Sequence, residues 1–474
     1  MKHLASLLLL VALARPGAAQ LNSPQSNTRQ PDTLVVSMQE AIRAALDVSP
    51  EVGREQAQVD YARARLGLAR SSRFLTEFTA TSAHAASPAI DNPNGTPTDR
   101  LYLDPDVRND WDDLSMFNRL EIEAIQPLWT WGELGGNIRA ARAGVGVEEA
   151  ARDVKTLDVA VRTAELYWAL LLTEELHRLT GEAGDIVRKA KDEISRLLEE
   201  GAEDVDYADL YQVQITEQEF FQRSVEVDER RRTARAALRR QLFLPDDQTV
   251  AVTDITLEPL PFTLEALETY QARALGERPE LRQAAAGLEA REALVEVARS
   301  AFFPKLFLGV NARYSWAPDR HRQRNPYVGD PFLSRNLQAG LGMRLNLNLA
   351  QTRSRVRQAR AEVDDVQYQA DAARQLILFE VEEAYRNVVI ARAAVDAREA
   401  AVLVSREWLL DEQINFDLDV GDTENLVKAV RDNLSLRVQR HEAVFNYNRA
   451  VIRLLAKTGR LADLAASGTL VDTP

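Results

Sequence analysis

Two short clusters of carboxylates have the residue types and the spacing that could attract cations. Each cluster lies in a turn between two long helical patterns. The first consists of Glu203, Asp204, Asp206 and Asp209, and the second of Asp417, Asp419, Asp422 and Glu424. If copies of the chain brought these turns together around one axis, the crowded negative charge would draw in cations and make tight closure costly. The alternative is helix capping, because Asp206 and Glu424 stand at predicted helix starts, where a carboxylate is favourable. The sequence leaves both interpretations open.

Catalytic and cofactor chemistry has little support in the other residues. The histidines are His3, His84, His177, His321 and His441. No two of them have the spacing of metal ligands. The chain has no cysteine, which excludes disulfides, zinc thiolate sites and thiol catalysis. It also lacks a glycine-rich phosphate loop, a nucleophile elbow and an HExxH motif. We therefore predict a protein that is not an enzyme and that needs no cofactor and no metal.

Charge and the first residues limit the class of protein further. The formal net charge of the 474 residues is −14, so nucleic acid is not an expected partner. Lys2, the apolar run Leu4–Leu13 and the small residues Gly17–Ala19 predict a secretory signal peptide over residues 1–19. No later stretch holds eighteen consecutive apolar residues. If the mature chain crosses a membrane, we expect it to do so as strands.

One structural unit is used twice, with a period of about 220 residues. Arg70–Phe78 resembles Arg299–Phe307, and Asn137–Arg142 resembles Arg355–Arg360. Each copy is predicted to contain a helix broken at a proline, two strands, a very long helix, an acidic turn and a further helix. The expected organisation is a signal peptide at 1–19, an N-terminal extension at 20–33, repeat one at 34–245, a linker in the equatorial region at 246–262, repeat two at 263–460 and a C-terminal tail at 461–474.

Alternating apolar and polar residues predict four strands, at about 74–84, 116–128, 304–316 and 336–349. Their length suits membrane strands, and the alternative is a soluble sandwich. The polar faces carry Glu121, Glu123, Arg313 and Arg344, which would suit a water-filled lumen. Because four strands cannot close around a lumen, membrane strands of this kind require several chains to share one barrel. Three chains would supply twelve strands.

Two short motifs and the doubled order of elements carry a resemblance to a known family. The motifs are Gln126–Gly136, which reads QPLWTWGELGG, and Asn446–Ala450, which reads NYNRA. Together with the repeats they resemble the outer-membrane efflux protein family, whose members are TolC-like channels, over roughly residues 34–460. The sequence departs from the family at the two acidic turns, which would form the mouth of the family's helical tunnel. The resemblance therefore implies the geometry of this mouth less directly than it implies the fold.

The resemblance implies a mainly α fold with membrane β: a long α-helical barrel of coiled-coil hairpins, continued by a β-barrel shared between three chains. It implies a homotrimer in the outer membrane of a Gram-negative bacterium, extending into the periplasm and contacting outer-membrane lipid. The implied function is an exit duct of a tripartite efflux or type I secretion system, with a periplasmic adaptor protein and an inner-membrane transporter as partners. The alternative is a secreted periplasmic coiled-coil protein with a structural or adaptor role.

A basic loop is predicted between the last two strands, with Arg320, His321, Arg322 and Arg324. It has two interpretations, contact with lipopolysaccharide or a plain solvated loop.

Overall fold

The structure is a computed structural model, and it describes residues 33–95, 97, 105–201, 206–318, 320, 329–417 and 423–459. The predicted signal peptide and C-terminal tail lie outside the described residues, as does nearly all of the predicted N-terminal extension.

The described chain runs through the same order of elements twice. The first set is β1 (Thr33–Val36), α1 (Met38–Val48), α2 (Pro50–Ser71), β2 (Glu77–Asp91), β3 (Arg108–Trp129), α3 (Glu133–Glu200) and α4 (Tyr207–Gln241). The second set is β4 (Thr249–Val252), α5 (Leu267–Glu277), α6 (Pro279–Ser300), β5 (Lys305–Trp316), β6 (Arg335–Arg344), α7 (Leu349–Asp417) and α8 (Thr423–Lys457). Matching elements have nearly equal lengths: α3 has 68 residues and α7 has 69, while α4 and α8 have 35 each. The mainly helical fold with strands and two internal repeats is thus confirmed.

Each break near a proline separates two helices at a defined cap. The Ser49 side chain accepts a hydrogen bond from the Val52 N–H and caps α2, whose first residue is Pro50. Pro279 occupies the same first position in α6. Proline is favoured there because its missing N–H would have no helical partner in any case.

The long helices set the length of the molecule. At 1.5 Å per residue, α3 and α7 are each about 100 Å long. The shorter helices α2 and α4 pack along one side of α3, while α6 and α8 lie between α3 and α7. Two short helices therefore share the length of one long helix, in both repeats. Among the described helices, none is both long enough and apolar enough to cross a bilayer.

The main core lies at the middle of the helical part, where α1, α5 and the parallel pair of β1 and β4 pack against α3, α7 and α8. Tyr167 is fully buried there and donates a hydrogen bond to Asp254, with an oxygen–oxygen distance of 2.9 Å. Burial, aided by that carboxylate, raises the pKa of Tyr167 to about 12. The phenol therefore stays protonated and holds the segment after β4 against α3.

An ion pair ties each proline joint to the long helix beside it. In repeat one, Arg162 of α3 donates to Glu51 of α2 at 2.6 Å, and this hydrogen bond lowers the pKa of Glu51. In repeat two the signs of the charges are exchanged, because the residue of α7 that matches Arg162 is the acidic Glu380. It accepts from the buried Arg278 at 2.6 Å and from Lys457 at 2.9 Å. Burial alone would raise the pKa of Glu380, but these two cations outweigh it and lower the pKa.

Three of the predicted strand limits need correction. β2 runs to Asp91 and β3 starts at Arg108, because the two strands pair as one long hairpin that continues past a bulge at Pro88. β6 ends at Arg344, although the alternating leucines continue to Leu349. The strand stops there because the Asn346 side chain accepts a hydrogen bond from the Asn348 N–H, a local turn that leads into α7.

Candidate functional site

The site begins with a four-stranded antiparallel sheet in the order β2–β3–β5–β6. The helices α2, α3, α6 and α7 all join the sheet at one end, so its other end points away from the helical part. Within the described chain, β2 and β6 each have a neighbour on one side only. The sheet therefore has two open edges, which are a template for pairing with further strands.

One face of the sheet is apolar and uncovered. Across β5 and β6 its partners are Leu306 with Met343, Leu308 with Leu341, Val310 with Ala339 and Ala312 with Leu337. The side chain of Leu341 is 80% exposed and that of Leu337 is 74% exposed. Leucines in such numbers are not left facing water in soluble proteins, so this face needs an apolar covering.

The opposite face is polar, and it contains all four residues predicted to line a lumen. Glu121 and Arg313 are directly opposed on β3 and β5, and Arg313 donates to Glu121 at 2.7 Å. Asn311 also donates to Glu121, at 3.2 Å, and is the cross-strand partner of Glu123. Arg344 lies over the Phe307 ring, 5.7 Å from its centroid. That these residues line a lumen stays a prediction.

Gly342 is closely packed on this polar face. A Cβ placed there would come within 2.4 Å of the Phe307 ring. The glycine allows that ring to pack closely against β6, next to the Arg344 guanidinium.

An aromatic cluster marks the end of the sheet that joins the helices. Trp131 stacks on Phe303 with ring centroids 4.9 Å apart, and its indole N–H donates to the Pro304 carbonyl at 2.8 Å. Trp129 meets Trp131 edge to face, and Lys305 pairs with Glu133 at 2.5 Å. The QPLWTWGELGG motif thus forms the junction between a strand and a long helix.

At the remote end of the sheet, Arg320 is not the solvated or lipid-binding loop residue that the sequence suggested. Its side chain is 7% exposed and pairs with Asp330 at 2.7 Å. It also donates to the Pro88 carbonyl at 2.6 Å, at the bulge where the ladder between β2 and β3 is interrupted. Its guanidinium stacks on Phe332, which packs edge to face on Phe117 of β3. Arg320 therefore links the chain just after β5 to the β2–β3 hairpin. The predicted loop residues His321, Arg322 and Arg324 lie outside the described residues.

Only part of the two acidic turns can be placed. Asp206 caps α4 by accepting from the backbone N–H groups of Ala208 at 2.6 Å and Asp209 at 3.1 Å. Asp209 completes a capping box by accepting from the Asp206 N–H at 3.0 Å. Glu424 lies in the first turn of α8. Capping is thus the observed role of Asp206 and Asp209. Asp417 is the last residue of α7, its side chain is not described, and Glu203, Asp204, Asp419 and Asp422 lie outside the described residues.

Two basic side chains near these turns, Arg196 and Arg431, pair with helix carboxylates. Arg196 donates to Glu193 and Glu200, at 2.5 and 2.6 Å, and the pKa of Glu193 is lowered by that hydrogen bond. Arg431 of α8 pairs with Glu219 of α4 at 3.1 Å. Arg196 therefore forms ion pairs within α3, and Arg431 connects α8 to α4.

Apolar side chains are also uncovered along the outer helices of the layer. On α4 these are Tyr207, Tyr211, Ile215, Phe221 and Val225, and on α7 they are Tyr368, Leu376, Phe379, Ile390, Leu403 and Val404. Because α2, α4 and α7 form the two edges of the helical layer, these apolar side chains lie along its edges.

His441 is a buried histidine in the helical part that the sequence did not single out. It lies with Glu175, Arg178, Arg437 and Arg440 around one small cavity. Among the described residues its Nδ1 has no hydrogen-bond partner. Burial, with a smaller effect of the nearby arginines, lowers its pKa, although Glu175 acts in the opposite direction. His441 is therefore a neutral group at neutral pH.

Comparison with known proteins identifies the fold. Residues 271–434 match the model of the outer membrane efflux protein family. No curated protein matches the chain. Among solved structures, the Campylobacter jejuni CmeC outer membrane channel is similar, with a TM-score of 0.70, 16% identity and coverage of 92% of this chain and 90% of that one. The open state of the Neisseria gonorrhoeae MtrE channel has a TM-score of 0.69 and 17% identity, covering 97% of this chain and 99% of its own. The outer-membrane channel OprN gives a TM-score of 0.69 at 17% identity, with 89% of each chain covered.

These matches agree with the geometry above: two repeats, a short antiparallel sheet and helices of about 100 Å. The predicted resemblance is confirmed, since the chain resembles the outer membrane efflux protein family in sequence over residues 271–434 and in fold over most of its length.

Proposed function

We propose that this chain is an outer-membrane exit duct, through which substrates pass passively from the periplasm to the exterior. The observation that carries the proposal is the uncovered apolar face of a sheet with two open edges, joined at one end to helices of about 100 Å. Lipid would cover the apolar face, and the polar face with Glu121 and Arg313 would border the water-filled path.

The duct is proposed to be a homotrimer. Four strands are too few to close a barrel, and open edges cannot remain in lipid. Pairing the free edge of β6 with the free edge of β2 in the next copy, three times around an axis, closes a barrel of twelve strands. The same rotation would bring the uncovered apolar residues of α7 against α2 and α4 of the next copy.

A passive duct does not supply the energy for transport, so it needs partner proteins. The sequence contains no phosphate-binding loop that could couple nucleotide hydrolysis to transport. We infer that an inner-membrane transporter supplies the energy and that a periplasmic adaptor protein connects it to the helical end. The resemblance to efflux channels supports this inference, and type I secretion would use the same arrangement.

The alternative, a secreted coiled-coil protein with a structural or adaptor role, would not need the sheet. Its apolar face would then have to be covered by protein. Cell fractionation distinguishes the two: a duct remains in the outer-membrane fraction after a high-salt wash, while a peripheral protein is released. A purified protein of monomeric mass in mild detergent, stably folded, would contradict the duct.

The acidic turns are proposed to form a cation-attracting ring at the helical mouth, in addition to the capping by Asp206 and Asp209. In a trimer each carboxylate occurs three times around the axis, so divalent cations could bridge them. Planar-bilayer conductance tests this. The wild-type duct should prefer cations and be blocked by divalent ions from the periplasmic side, and Asp419→Ala with Asp422→Ala should weaken the block. Unchanged selectivity and block after both turns are neutralised would leave only the capping role.

A further inference from the structure

The apolar face of the sheet ends in two rows of different composition at the end remote from the helices. The last row that spans β2, β3, β5 and β6 contains Ser82, Leu120, Tyr314 and Arg335 as cross-strand partners. The row beyond it, on β2, β3 and β5, contains His84, Asn118 and Trp316. The purely apolar rows therefore stop at Ala312 and Leu337, and aromatic and polar side chains follow.

These two outer rows form a polar boundary at the end of the apolar face. One ring nitrogen of His84 bonds the Asn118 side chain at 2.8 Å, and the other bonds the Ser82 hydroxyl at 3.0 Å. The rings of Tyr314 and Trp316 pack together with centroids 5.2 Å apart, and the Arg335 guanidinium lies over Tyr314 at 5.2 Å.

Arg335 differs from the polar-face cations Arg313 and Lys305, because it has no carboxylate partner in the described part of the chain. On the polar face, Arg313 pairs with Glu121 and Lys305 pairs with Glu133. Arg335 has no ion pair within the described part of the chain, and it is exposed. Of the side chains that β2, β3, β5 and β6 place on the apolar face through these paired rows, it is the only one with a formal charge at neutral pH. An arginine at the edge of an uncovered apolar face thus lacks an anion.

The spacing of the rows places this arginine at a membrane surface. From Leu306 to Tyr314 the apolar face extends about 27 Å along β5, or about 20 Å across a membrane at the usual strand tilt. That height approaches the apolar band of outer-membrane barrels, about 25 Å. The Trp129, Trp131 and Phe303 cluster bounds the band at its helical end. Arg335 then lies at the level of the headgroups of the other leaflet, where an anionic lipid phosphate would meet it.

We propose that Arg335, Tyr314 and Trp316 form a binding site for the phosphate-bearing headgroup of a lipid in the outer leaflet. The guanidinium would pair with the phosphate, Tyr314 would hold the guanidinium in place, and acyl chains would cover Leu337 and Ala312 below it. The site rests on the proposed outer-membrane placement. It adds to that proposal the residues that would select the lipid.

The test measures lipid binding by the purified full-length protein in mild detergent, with native mass spectrometry as the readout. The probes are lipid A with its phosphates, the same lipid after dephosphorylation, and inorganic phosphate. The variants are Arg335→Gln, Arg335→Lys and, as a control on the opposite face of the same strand, Arg344→Gln. One cation near an anionic surface contributes about 1 kcal/mol, so Arg335→Gln should bind phosphorylated lipid A about fivefold more weakly per chain.

Arg335→Lys and Arg344→Gln should retain most of the binding, and wild type should bind the dephosphorylated lipid no better than Arg335→Gln does. Inorganic phosphate should neither bind nor compete at matching concentrations, because the acyl chains contribute to the site. Equal binding by wild type and Arg335→Gln, or an equal loss in Arg344→Gln, would overturn the proposal. Conductance in phospholipid bilayers is measured in parallel. A protein that binds lipid A through Arg335 but forms no channel would contradict the duct and leave the lipid site intact.

Discussion

Placing an arginine on each face of β6 tests which face meets lipid. Leu341 lies on the apolar face opposite Leu308, and Gln338 lies on the polar face opposite Asn311. Leu341→Arg and Gln338→Arg put the same side chain on one strand, on either side of its middle. We expect the first change to damage the membrane-inserted protein and the second to be tolerated.

The size of the effect follows from the depth of the site. The apolar rows on β6 run from Met343 to Leu337, so their centre lies between Leu341 and Ala339. Near the midplane, an arginine on the lipid face costs about 2–4 kcal/mol. In a trimer the change occurs three times, which gives roughly 6–12 kcal/mol per assembly. That is comparable with the whole stability of many proteins, about 5–15 kcal/mol. Gln338→Arg should cost less than about 1 kcal/mol, because its side chain stays in water.

The assay is urea-induced unfolding of protein reconstituted in phosphatidylcholine vesicles, followed by tryptophan fluorescence, with oligomer mass measured by light scattering in detergent. Leu341→Arg should lower the unfolding midpoint strongly and reduce the yield of assembled protein. If Gln338→Arg were as damaging as Leu341→Arg, or if Leu341→Arg had no effect, the assignment of the two faces would be wrong.

Three further changes test the helical part. Arg278→Ala removes one of two cations from the partly buried Glu380 and should cost about 2–3 kcal/mol of unfolding free energy in chemical denaturation. The control is Arg63→Ala, which breaks only exposed ion pairs with Asp60 and Glu149 and should cost under about 1 kcal/mol. His441 has a pKa below its ordinary 6.5, so the unfolded chain binds its proton more readily. The stability from the neutral ring is complete above about pH 6.5 and is lost as the pH falls; His441→Gln should flatten this part of a pH-dependent denaturation profile. Asp206→Ala should cost about 1 kcal/mol and reduce the hydrogen-exchange protection of the first turn of α4, and Asp206→Ser should restore most of it.

The repeat and the long helices could be predicted from the sequence because they depend on local periodicity. Helix spacing persists without a proline from Trp131 to Glu200, and the structure has α3 over nearly that range. β5 was also predictable, since its alternation is regular and its ends are marked by Pro304 and by Trp316.

β2 and β6 were harder, for opposite physical reasons. β2 reads EFTATSAHAASPAID, with too few large apolar residues to show a period of two, and it is a strand because β3 pairs along it. β6 was predicted too long because the alternation of leucines continues into a segment where Asn346 turns the backbone. Side-chain hydrogen bonds of that kind are not visible in a hydropathy pattern.

For the residues that could carry function, the sequence predicted the residue types, but it did not predict which side chains would be in contact. Polar residues on alternate positions indicated the Glu121 and Arg313 face, but their pairing depends on the register between β3 and β5. The burial of Arg320 depends on a bulge at Pro88, and no sequence motif predicts that bulge. His441 gave no signal, because its surroundings combine its own helix α8 with α3, α7 and the segment after β4.

The two kinds of uncovered surface in this molecule call for two different coverings. The apolar rows of the sheet carry one charge, Arg335, at their edge, so hydrocarbon can contact them without desolvating ions. The uncovered apolar residues of α7 are interleaved with charged side chains such as Arg386 and Glu382, which pair at 2.6 Å on the exposed helix surface. Those charges could not enter hydrocarbon at an acceptable cost, but they can flank a seam between helices in water. For the proposed duct we therefore expect lipid to cover the sheet and further protein to cover the helices. We expect the change from one covering to the other at the Trp129 and Trp131 junction.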